Sequence, residues 1–366
     1  MFRAHWREYC ARASVTPFQH KVAAAIMCCR TEALGGHLFE CSHCGHQAPL
    51  YNSCRNRHCP KCQADKAREW VEARSDELLP VPYFHVVFTL PHELNELLLM
   101  NRRLMYELFF KAVSRTLLKV GERNLKCRLG FFSLLHSWGQ TLTLHPHLHV
   151  VVPGVGLSVD GTHAVRLKKR RFLLPDKILS AVFRGKFISA LKRAHKEHKL
   201  RGAFDDFEAF LDRAVRFSWV VRTKPPFGGP EVVLKYLARY THRVAIGNSR
   251  IITATGEEVK FRYKDYRLKE PDKQISLAPT EFIRRFLLHV LPPGFVRVRY
   301  YGFLARGRKT RALALLREAL GVNAPQKPAL NPHRPLCPHC NRPSLVEIGL
   351  ILRVVPVLHQ TAPPLS

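Results

Sequence analysis

Residues 145–153 read HPHLHVVVP, and this stretch decides the fold that we expect for the chain. Successive side chains of a β-strand point to opposite faces, so His147 and His149 project together while Leu148 and Val150 face the other way into a core. Two adjacent imidazoles form a platform for a metal ion, and open positions on such an ion suit catalysis. The sequence therefore predicts a strand that carries a catalytic divalent metal on one face.

The third ligand of this metal is not fixed by the sequence. The candidates are His145, Gln140 and His242. His145 lies two residues before His147, but Pro146 interrupts the regular alternation between them, since proline cannot donate to a sheet ladder.

Strands and helices follow one another irregularly around this stretch. Apolar and β-branched runs predict further strands at 83–90, 130–138, 215–222, 250–254 and 258–264, and Asp160-Gly161 predicts a hairpin turn. Helical patterns occur at 22–29, 64–79, 91–121, 175–200, 205–214, 280–290 and 305–320, and the turn at 225–230 places Pro230 at the start of another helix. This mixture indicates the α+β class with a largely antiparallel sheet.

Residues 231–243 read EVVLKYLARYTHR and predict a short helix that presents two phenols. Tyr236 and Tyr240 are four residues apart, so they share a helix face with Cβ atoms about 5–6 Å apart. Taken alone, such a pair more often belongs to a core or its rim. A metal on the histidine strand changes this balance, because it can polarise a scissile phosphate that a tyrosine then attacks.

The 11 cysteines are spaced for metal binding rather than for disulfides. Cys41 and Cys44 form one CxxC pair and Cys59 and Cys62 another, with fourteen residues between the pairs. Two such pairs can complete one closed tetrahedral site, for which zinc is the usual metal. A closed site is structural, so this part of the chain is expected to bind or position DNA.

Other potential ligands surround these pairs. A second zinc site is possible among the remaining residues Cys29, His43, His46, Cys54 and His58, although such residues more often pack beside the first site. Near the C-terminus, Cys337 and Cys340 supply half a site, which His333 or His339 would have to complete.

The formal net charge is +31, from 59 Lys and Arg against 28 Asp and Glu, and it predicts a polyanionic partner. A generally basic protein without such a partner is the alternative. The positive charge is concentrated between residues 166 and 201, where it can neutralise phosphates and release counterions. The predicted DNA-binding residues are Lys168, Lys169, Arg170, Arg171, Arg239 and Arg243.

The sequence contains no run of eighteen apolar residues and no secretory apolar region near its start. We therefore expect a cytoplasmic protein without a membrane partner. The sequence does not indicate an oligomeric state.

Several motifs together resemble those of the IS91 family, the rolling-circle insertion-sequence transposases within the HUH superfamily of single-strand endonucleases. They are SCRNRHCPKC at 53–62, the segment 83–94 with its FTLPH, HSWGQ at 136–140, the histidine strand at 145–154 and the tyrosine segment at 236–246. They occur in the expected order across about residues 29–305. Where the family has Arg-His-Tyr-Gly, this chain has RYYG at 299–302.

The resemblance implies an antiparallel palm sheet that carries the histidines, with the tyrosine helix beside it. It also implies magnesium or manganese at His147 and His149, and nucleophilic roles for Tyr236 and Tyr240. The implied reaction is cleavage of single-stranded DNA at element ends, with strand transfer through a 5′-phosphotyrosine intermediate.

Three parts follow from these observations. Residues 1–78 are the predicted zinc-binding, DNA-positioning domain, 79–305 the HUH-type catalytic domain, and 306–366 a basic helix with a Pro-rich tail and its CxxC pair. A plasmid or phage replication initiator or relaxase would use the same chemistry. A zinc-containing DNA-binding regulator without catalysis explains the charge and the cysteines, but leaves the histidine strand unexplained.

Overall fold

A computed structural model describes residues 1–63, 69, 77–167, 173–202, 204–227, 232, 245–265, 272–323 and 335–354. Several predictions fall outside these ranges. They concern most of the helix at 64–79, the helix start at Pro230, the basic run Lys168, Lys169, Arg170 and Arg171, and the tyrosine segment with Tyr236, Arg239, Tyr240, His242 and Arg243.

The described residues form fourteen strands. In chain order these are β1 Gly36–Cys41, β2 Gln47–Tyr51, β3 Tyr83–Thr89, β4 Cys127–Arg128, β5 Gly130–Trp138, β6 Leu144–Pro153, β7 Val155–Ser158, β8 Ala164–Arg166, β9 Val221–Phe227, β10 Ile251–Ala254, β11 Val259–Lys264, β12 Asp272–Leu277, β13 Val298–Gly302 and β14 Leu345–Ile351.

Eight α-helices lie in the same described ranges. They are α1 Phe2–Arg12, α2 Pro17–Cys28, α3 Asn95–Met100, α4 Arg102–Val120, α5 Asp176–Lys196, α6 Phe207–Arg216, α7 Pro279–Leu288 and α8 Lys309–Leu320. The best-defined helix start is that of α2, where Thr16 and Gln19 form a reciprocal capping box ahead of Pro17.

A five-stranded sheet in the order β13-β5-β6-β3-β9 forms the centre of the molecule, and every neighbouring pair in it is antiparallel. Three smaller sheets have the orders β14-β1-β2, β10-β11-β12 and β4-β7-β8. The predicted α+β class with a largely antiparallel sheet is confirmed. The hairpin predicted at Asp160-Gly161 is also present, since β7 and β8 pair across it and Gly161 has a φ of +83°.

One face of the central sheet packs against helices and forms the largest core. Leu148 and Val150 of β6 are fully buried there, as their alternation with the histidines predicts. The ring of Phe183 from α5 lies 5.3 Å from that of Phe88 and 5.3 Å from that of Trp219. Because each such side chain contributes about 1.5–3 kcal/mol on full burial, this layer fixes the sheet that carries the site.

Two further cores attach the ends of the chain. Helices α1 and α2 pack with α7 and β11, and the ring of Phe2 meets that of Phe286 edge-on at 5.3 Å. Helix α8 packs through Leu316 with Phe132 and Val151, which lie on the histidine-bearing face of the central sheet. In one of the two smallest cores, Cys41 lies beside Cys337 and Leu345.

Two predicted elements differ from the structure. The helix predicted at 91–121 is broken at Asn101, because its amide donates to the carbonyl oxygens of Leu97 and Arg201 and its Oδ1 accepts from the Arg201 N–H. The strand predicted at 215–222 lies at 221–227 instead. Helix α6 continues to Arg216, and β9 tolerates its two prolines because it is an edge strand that pairs with β3 alone.

Candidate active site and metal centres

Three histidines converge on the second face of the central sheet. Ligand nitrogens of His136, His147 and His149 all lie within 4.8 Å of one another. His136 of β5 is the register partner of His147 on β6, and His149 lies two residues further along the same face. The structure therefore brings His147 and His149 together, with His136 beside them as a third imidazole.

Of the candidates for the third ligand, His145 lies outside this group. Gln140 is exposed, and its carbonyl oxygen accepts a hydrogen bond from Arg250. His145 is also exposed, because the ladder between β5 and β6 shifts by one residue between His136 and Trp138. The resulting bulge takes up His145 with Pro146, and His145 lies outside the group although its ring centre is 5.2 Å from that of His147. His242 lies outside the described residues.

Neighbouring groups orient two of these imidazoles. The Nδ1–H of His147 donates to the His145 carbonyl oxygen at 2.7 Å, which leaves Nε2 with its lone pair available. The Nδ1 of His149 lies 2.9 Å from Nε2 of His85, a fully buried side chain on β3. Burial lowers the pKa of His147 to about 4 and that of His85 to about 3, so both are neutral at pH 7. Neutral imidazole is the form that binds metals.

Basic side chains extend this face toward the sheet edge. On β9, Lys224 is the register partner of His85 and Arg222 that of Val87, so both point to the histidine-bearing face, and both are exposed. Together with the imidazoles they form a surface that can hold a metal ion and a phosphate at neighbouring positions.

Sequence reasoning missed His136, His85, Arg222 and Lys224 as site residues. The position of His136 could have been predicted, because the short connection between the predicted strand 130–138 and the histidine strand implies a hairpin that brings His136 close to the histidine strand. The other three depend on the pairing of β3 with β6 and β9, which are distant in sequence.

The cysteines form two groups, and the prediction that both CxxC pairs share one metal is wrong. Cys59 and Cys62 lie with Cys29 and Cys54, whereas Cys41 and Cys44 lie with Cys337 and Cys340. Strand β2 separates the two pairs along the chain, and β14 brings the tail pair to Cys41.

The first group fits a tetrahedral metal. The Sγ atoms of Cys29 and Cys62 lie 3.5 Å apart and those of Cys54 and Cys62 3.6 Å apart. These separations are close to the edge of about 3.8 Å that four Zn–S bonds of about 2.3 Å give a tetrahedron, and far from a disulfide bond of about 2.05 Å. Of the possible extra ligands, Cys54 is therefore in the group.

His58 lies outside this group. Its Nε2 accepts a hydrogen bond from the backbone N–H of Leu291, and its Nδ1–H donates to Oδ1 of Asn56. Both ring nitrogens are therefore occupied, and the bond to Leu291 joins this segment to the segment that follows α7. His339, which was considered for the tail pair, stacks on His46 at 5.6 Å and also lies outside the cysteine groups, and His333 falls outside the described residues.

Two protein families and two known relatives match this chain. Residues 130–311 match a family described as "Putative transposase", and residues 1–90 match one described as "Transposase zinc-binding domain". The chain is 44% identical to "Putative transposase y4qJ" of Sinorhizobium fredii, over 98% of this chain and 92% of the relative. It is 28% identical to "Transposase for insertion sequence element IS801" of Pseudomonas savastanoi pv. phaseolicola, over 87% of this chain and 78% of that one.

The chain belongs to the IS91 family of transposases. A transposase acts on DNA, and its zinc-binding domain contains the first cysteine group in full, whereas the second group takes Cys337 and Cys340 from far outside the matched range. No solved structure matches the transposase. In the part of the chain that is described, no helix has the length and apolar character needed to cross a membrane.

Proposed function

We propose that this transposase cleaves single-stranded DNA at the ends of its element and transfers the strand by a rolling-circle route. The observation that carries the proposal is the group of three imidazoles, His136, His147 and His149, on one face of an antiparallel sheet. A structural zinc protein has no need of this group, because its cysteines already provide closed four-ligand sites.

The proposed nucleophiles are Tyr236 and Tyr240. The phenolic oxygen of one tyrosine attacks a backbone phosphorus, the bond from phosphorus to the 3′ oxygen breaks, and that oxygen leaves as a 3′-hydroxyl after taking up a proton. The 5′ end remains on the protein as a phosphotyrosine ester. One ester replaces another, so the strand can be joined to a new 3′-hydroxyl without a further energy source.

The histidine group fits a divalent cation in number and spacing, and burial keeps His147 in the neutral form that binds metals. Of the two cations that the proposal considers, manganese suits three imidazoles better than magnesium, which prefers oxygen ligands. When bound, such an ion stabilises negative charge that develops on the scissile phosphate.

DNA contacts would come from several basic segments. Lys224 and Arg222 lie on the histidine-bearing face, and we assign phosphate contacts to them. Further contacts are proposed for Lys168, Lys169, Arg170, Arg171, Arg239 and Arg243. In this scheme residues 1–78 position the DNA, 79–305 carry out cleavage, and 306–366 form the basic helix and tail.

The test is a nicking assay with a single-stranded oligonucleotide that spans an element end, in the presence of Mn²⁺. We expect a covalent adduct that mass spectrometry assigns to a peptide containing Tyr236 or Tyr240. The double variant Tyr236→Phe/Tyr240→Phe should form no adduct, and Tyr263→Phe, which alters a half-buried tyrosine of a separate sheet, should form it normally. The variant His147→Ala/His149→Ala should still bind DNA but lose cleavage by at least a hundredfold, because metal binding is lost.

Other outcomes would contradict the proposal. An adduct that persists in the double tyrosine variant would show that another residue is the nucleophile. Cleavage confined to a plasmid origin would favour the replication initiator or relaxase. A zinc-containing protein that binds DNA but nicks nothing in any divalent cation would be a regulator.

A further inference from the structure

We propose that Cys41, Cys44, Cys337 and Cys340 bind a second zinc ion, which fastens the C-terminal segment 335–354 to the N-terminal domain. The four Sγ atoms lie within 4.8 Å of one another. Each CxxC pair supplies two thiolates, and the two pairs lie about 300 residues apart in the chain.

The distances fit a tetrahedral thiolate site. Cys41 Sγ lies 3.6 Å from Cys340 Sγ, and Cys44 Sγ lies 3.7 Å from Cys337 Sγ. A tetrahedron with four Zn–S bonds of about 2.3 Å has edges of about 3.8 Å. The hydroxyl of Ser344 lies 3.0 Å from Cys41 Sγ and can donate to the thiolate, as groups around metal ligands commonly do.

The surrounding structure holds the two pairs in register. Strand β14 pairs with β1 from Gly36 to Cys41, and the Ser42 N–H donates to the Ser344 carbonyl oxygen at 2.9 Å. His37 and Glu347 add a contact of 2.7 Å across the same pair of strands. The meeting of the two CxxC pairs is therefore part of a continuous strand pairing.

Hydrophobic burial contributes little to this attachment. Of the apolar residues in β14, Leu345 is buried, whereas Val346, Ile348 and Leu350 are 52%, 48% and 66% exposed. An edge strand with so little buried area is marginal by itself, and its pairing must also overcome the entropy of closing a very long loop. Metal binding can supply the missing free energy, because a preformed thiolate site does not exist in the detached state.

Only Cys41 and Cys44 of this site lie within the zinc-binding domain that the family match covers. That match ends at residue 90, and the first group, Cys29, Cys54, Cys59 and Cys62, is complete within it. Loss of the second zinc should therefore release the C-terminal segment while the first group keeps its metal.

Native mass spectrometry of the full chain, expressed with Zn²⁺ as the added metal, tests the proposal. We expect Cys337→Ser/Cys340→Ser to hold one zinc ion fewer than the wild type. Cys10→Ser/Cys28→Ser, which changes two cysteines outside both groups, should hold the wild-type number. In the first variant, amide hydrogen exchange across 345–351 should rise at least tenfold, whereas in the control it should not change.

A second measurement needs no variant and so does not depend on the folding of one. During stepwise removal of zinc from the wild type, Cys41, Cys44, Cys337 and Cys340 should become reactive to alkylation together, in a step of their own. An unchanged zinc count in the first variant, or separate reactivity of the two CxxC pairs, would overturn the proposal. Neither readout depends on nicking, so this inference and the proposed strand cleavage can fail independently.

Discussion

At the scale of single residues, the orientation of His149 depends on His85. The two rings are almost parallel, with an angle of 9° between their planes, and the facing nitrogens are 2.9 Å apart. Burial keeps His85 neutral, so its Nε2 can accept the Nδ1–H of His149 and leave Nε2 of His149 for a metal. We therefore regard His85 as a positioning residue for an imidazole of the proposed metal site.

Replacement of His85 by Ala should weaken Mn²⁺ binding about 10–100-fold, because loss of such a partner usually has this effect. His85→Gln should stay within a few-fold of the wild type, since its Oε1 can accept the same hydrogen bond. The measurements are the Mn²⁺ concentration for half-maximal nicking and direct Mn²⁺ binding by electron paramagnetic resonance. Equal metal affinity in His85→Ala and wild type, with both folded, would rule out the positioning role.

The residue scale also shows where sequence reasoning succeeds. His147 and His149 share a face because a strand alternates, and this rule needs no knowledge of the rest of the fold. The partners of the CxxC pairs could not be obtained in this way, because the spacing of Cys41, Cys44, Cys59 and Cys62 is equally compatible with one shared site and with two separate ones. The pairing of β14 with β1 determines which cysteines come together, and this pairing joins segments that are distant in the sequence.

At the scale of elements, the edge strand β13 is joined to the helical layer and to its neighbour β5. Arg299 forms two hydrogen bonds of 2.6 Å with the Glu107 carboxylate of α4 and lies 4.3 Å from the ring centre of Phe110. Gly302 ends the strand with a φ of +61°, and a Cβ there would lie 1.7 Å from the carbonyl oxygen of Leu129. The backbone approaches too closely for any side chain.

Gly302→Ala should therefore unfold at a clearly lower temperature than a matched glycine variant. In Gly307→Ala, φ is +87° but no atom lies within 4 Å of the added Cβ, so only the conformational cost of about 1–2 kcal/mol applies. We expect Gly302→Ala to lose at least about 2 kcal/mol more, because the Leu129 backbone must move. Thermal unfolding followed by circular dichroism measures the difference, and equal losses in both variants would refute the explanation.

Strand β13 also contains Tyr300, the position where this chain has a tyrosine and the family motif has a histidine. Tyr300 pairs with Phe132, which precedes His136 by four residues on β5, or about 13 Å at the rise of an antiparallel strand. The tyrosine lies in the core under α8 with Phe132 and is not part of the histidine group. This strand was not predicted from the sequence, since RYYG follows a helix and a proline pair, and only its pairing with β5 fixes it.

Strands with a strong apolar pattern were predicted well, and those held by long-range pairing were not. β3 and β5 were predicted almost residue by residue because both are rich in buried aromatic and β-branched side chains. β1, β2, β12 and β14 were missed, since most of their side chains are partly or fully exposed and leave no clear alternation. Their positions come from hydrogen bonding to a neighbour rather than from their own sequence.

At the scale of the whole molecule, the consecutive parts of the chain are interleaved. Residues from α1 and α2 share a core with α7, and β14 completes the sheet of β1 and β2. A division at residues 78 and 305 follows from local composition, and it stays a prediction, because contacts between distant segments leave no trace in local composition. The surplus of positive charge, by contrast, is evident from the sequence, and the structure shows one place where basic side chains are concentrated.

That place is a cavity of about 900 Å³ between α4 and α5, on the side of the sheet opposite the histidines. Its basic groove is lined by Lys111, Arg115, Lys119, Lys186, Arg193, Lys199 and Arg299. The acidic residues at its edge, Glu107 and Glu197, are already paired with Arg299 and Lys199. Burial and the nearby charges of Lys119 and Arg115 lower the pKa of Lys186, so the groove holds like charges close together.

Because a polyanion would relieve this repulsion, we expect charge removal in the groove to change stability and DNA binding in opposite directions. Lys119→Gln/Lys186→Gln should raise the unfolding temperature of the free protein at low salt, and should lower its affinity for single-stranded DNA. Each lost phosphate contact reduces the slope of log affinity against log salt by about 0.7, so two give about 1.4.

The control Lys260→Gln/Lys273→Gln removes the same charge from the sheet β10-β11-β12. Fluorescence anisotropy at several salt concentrations measures the slope, and a groove variant that matches this control would show that DNA does not use the groove.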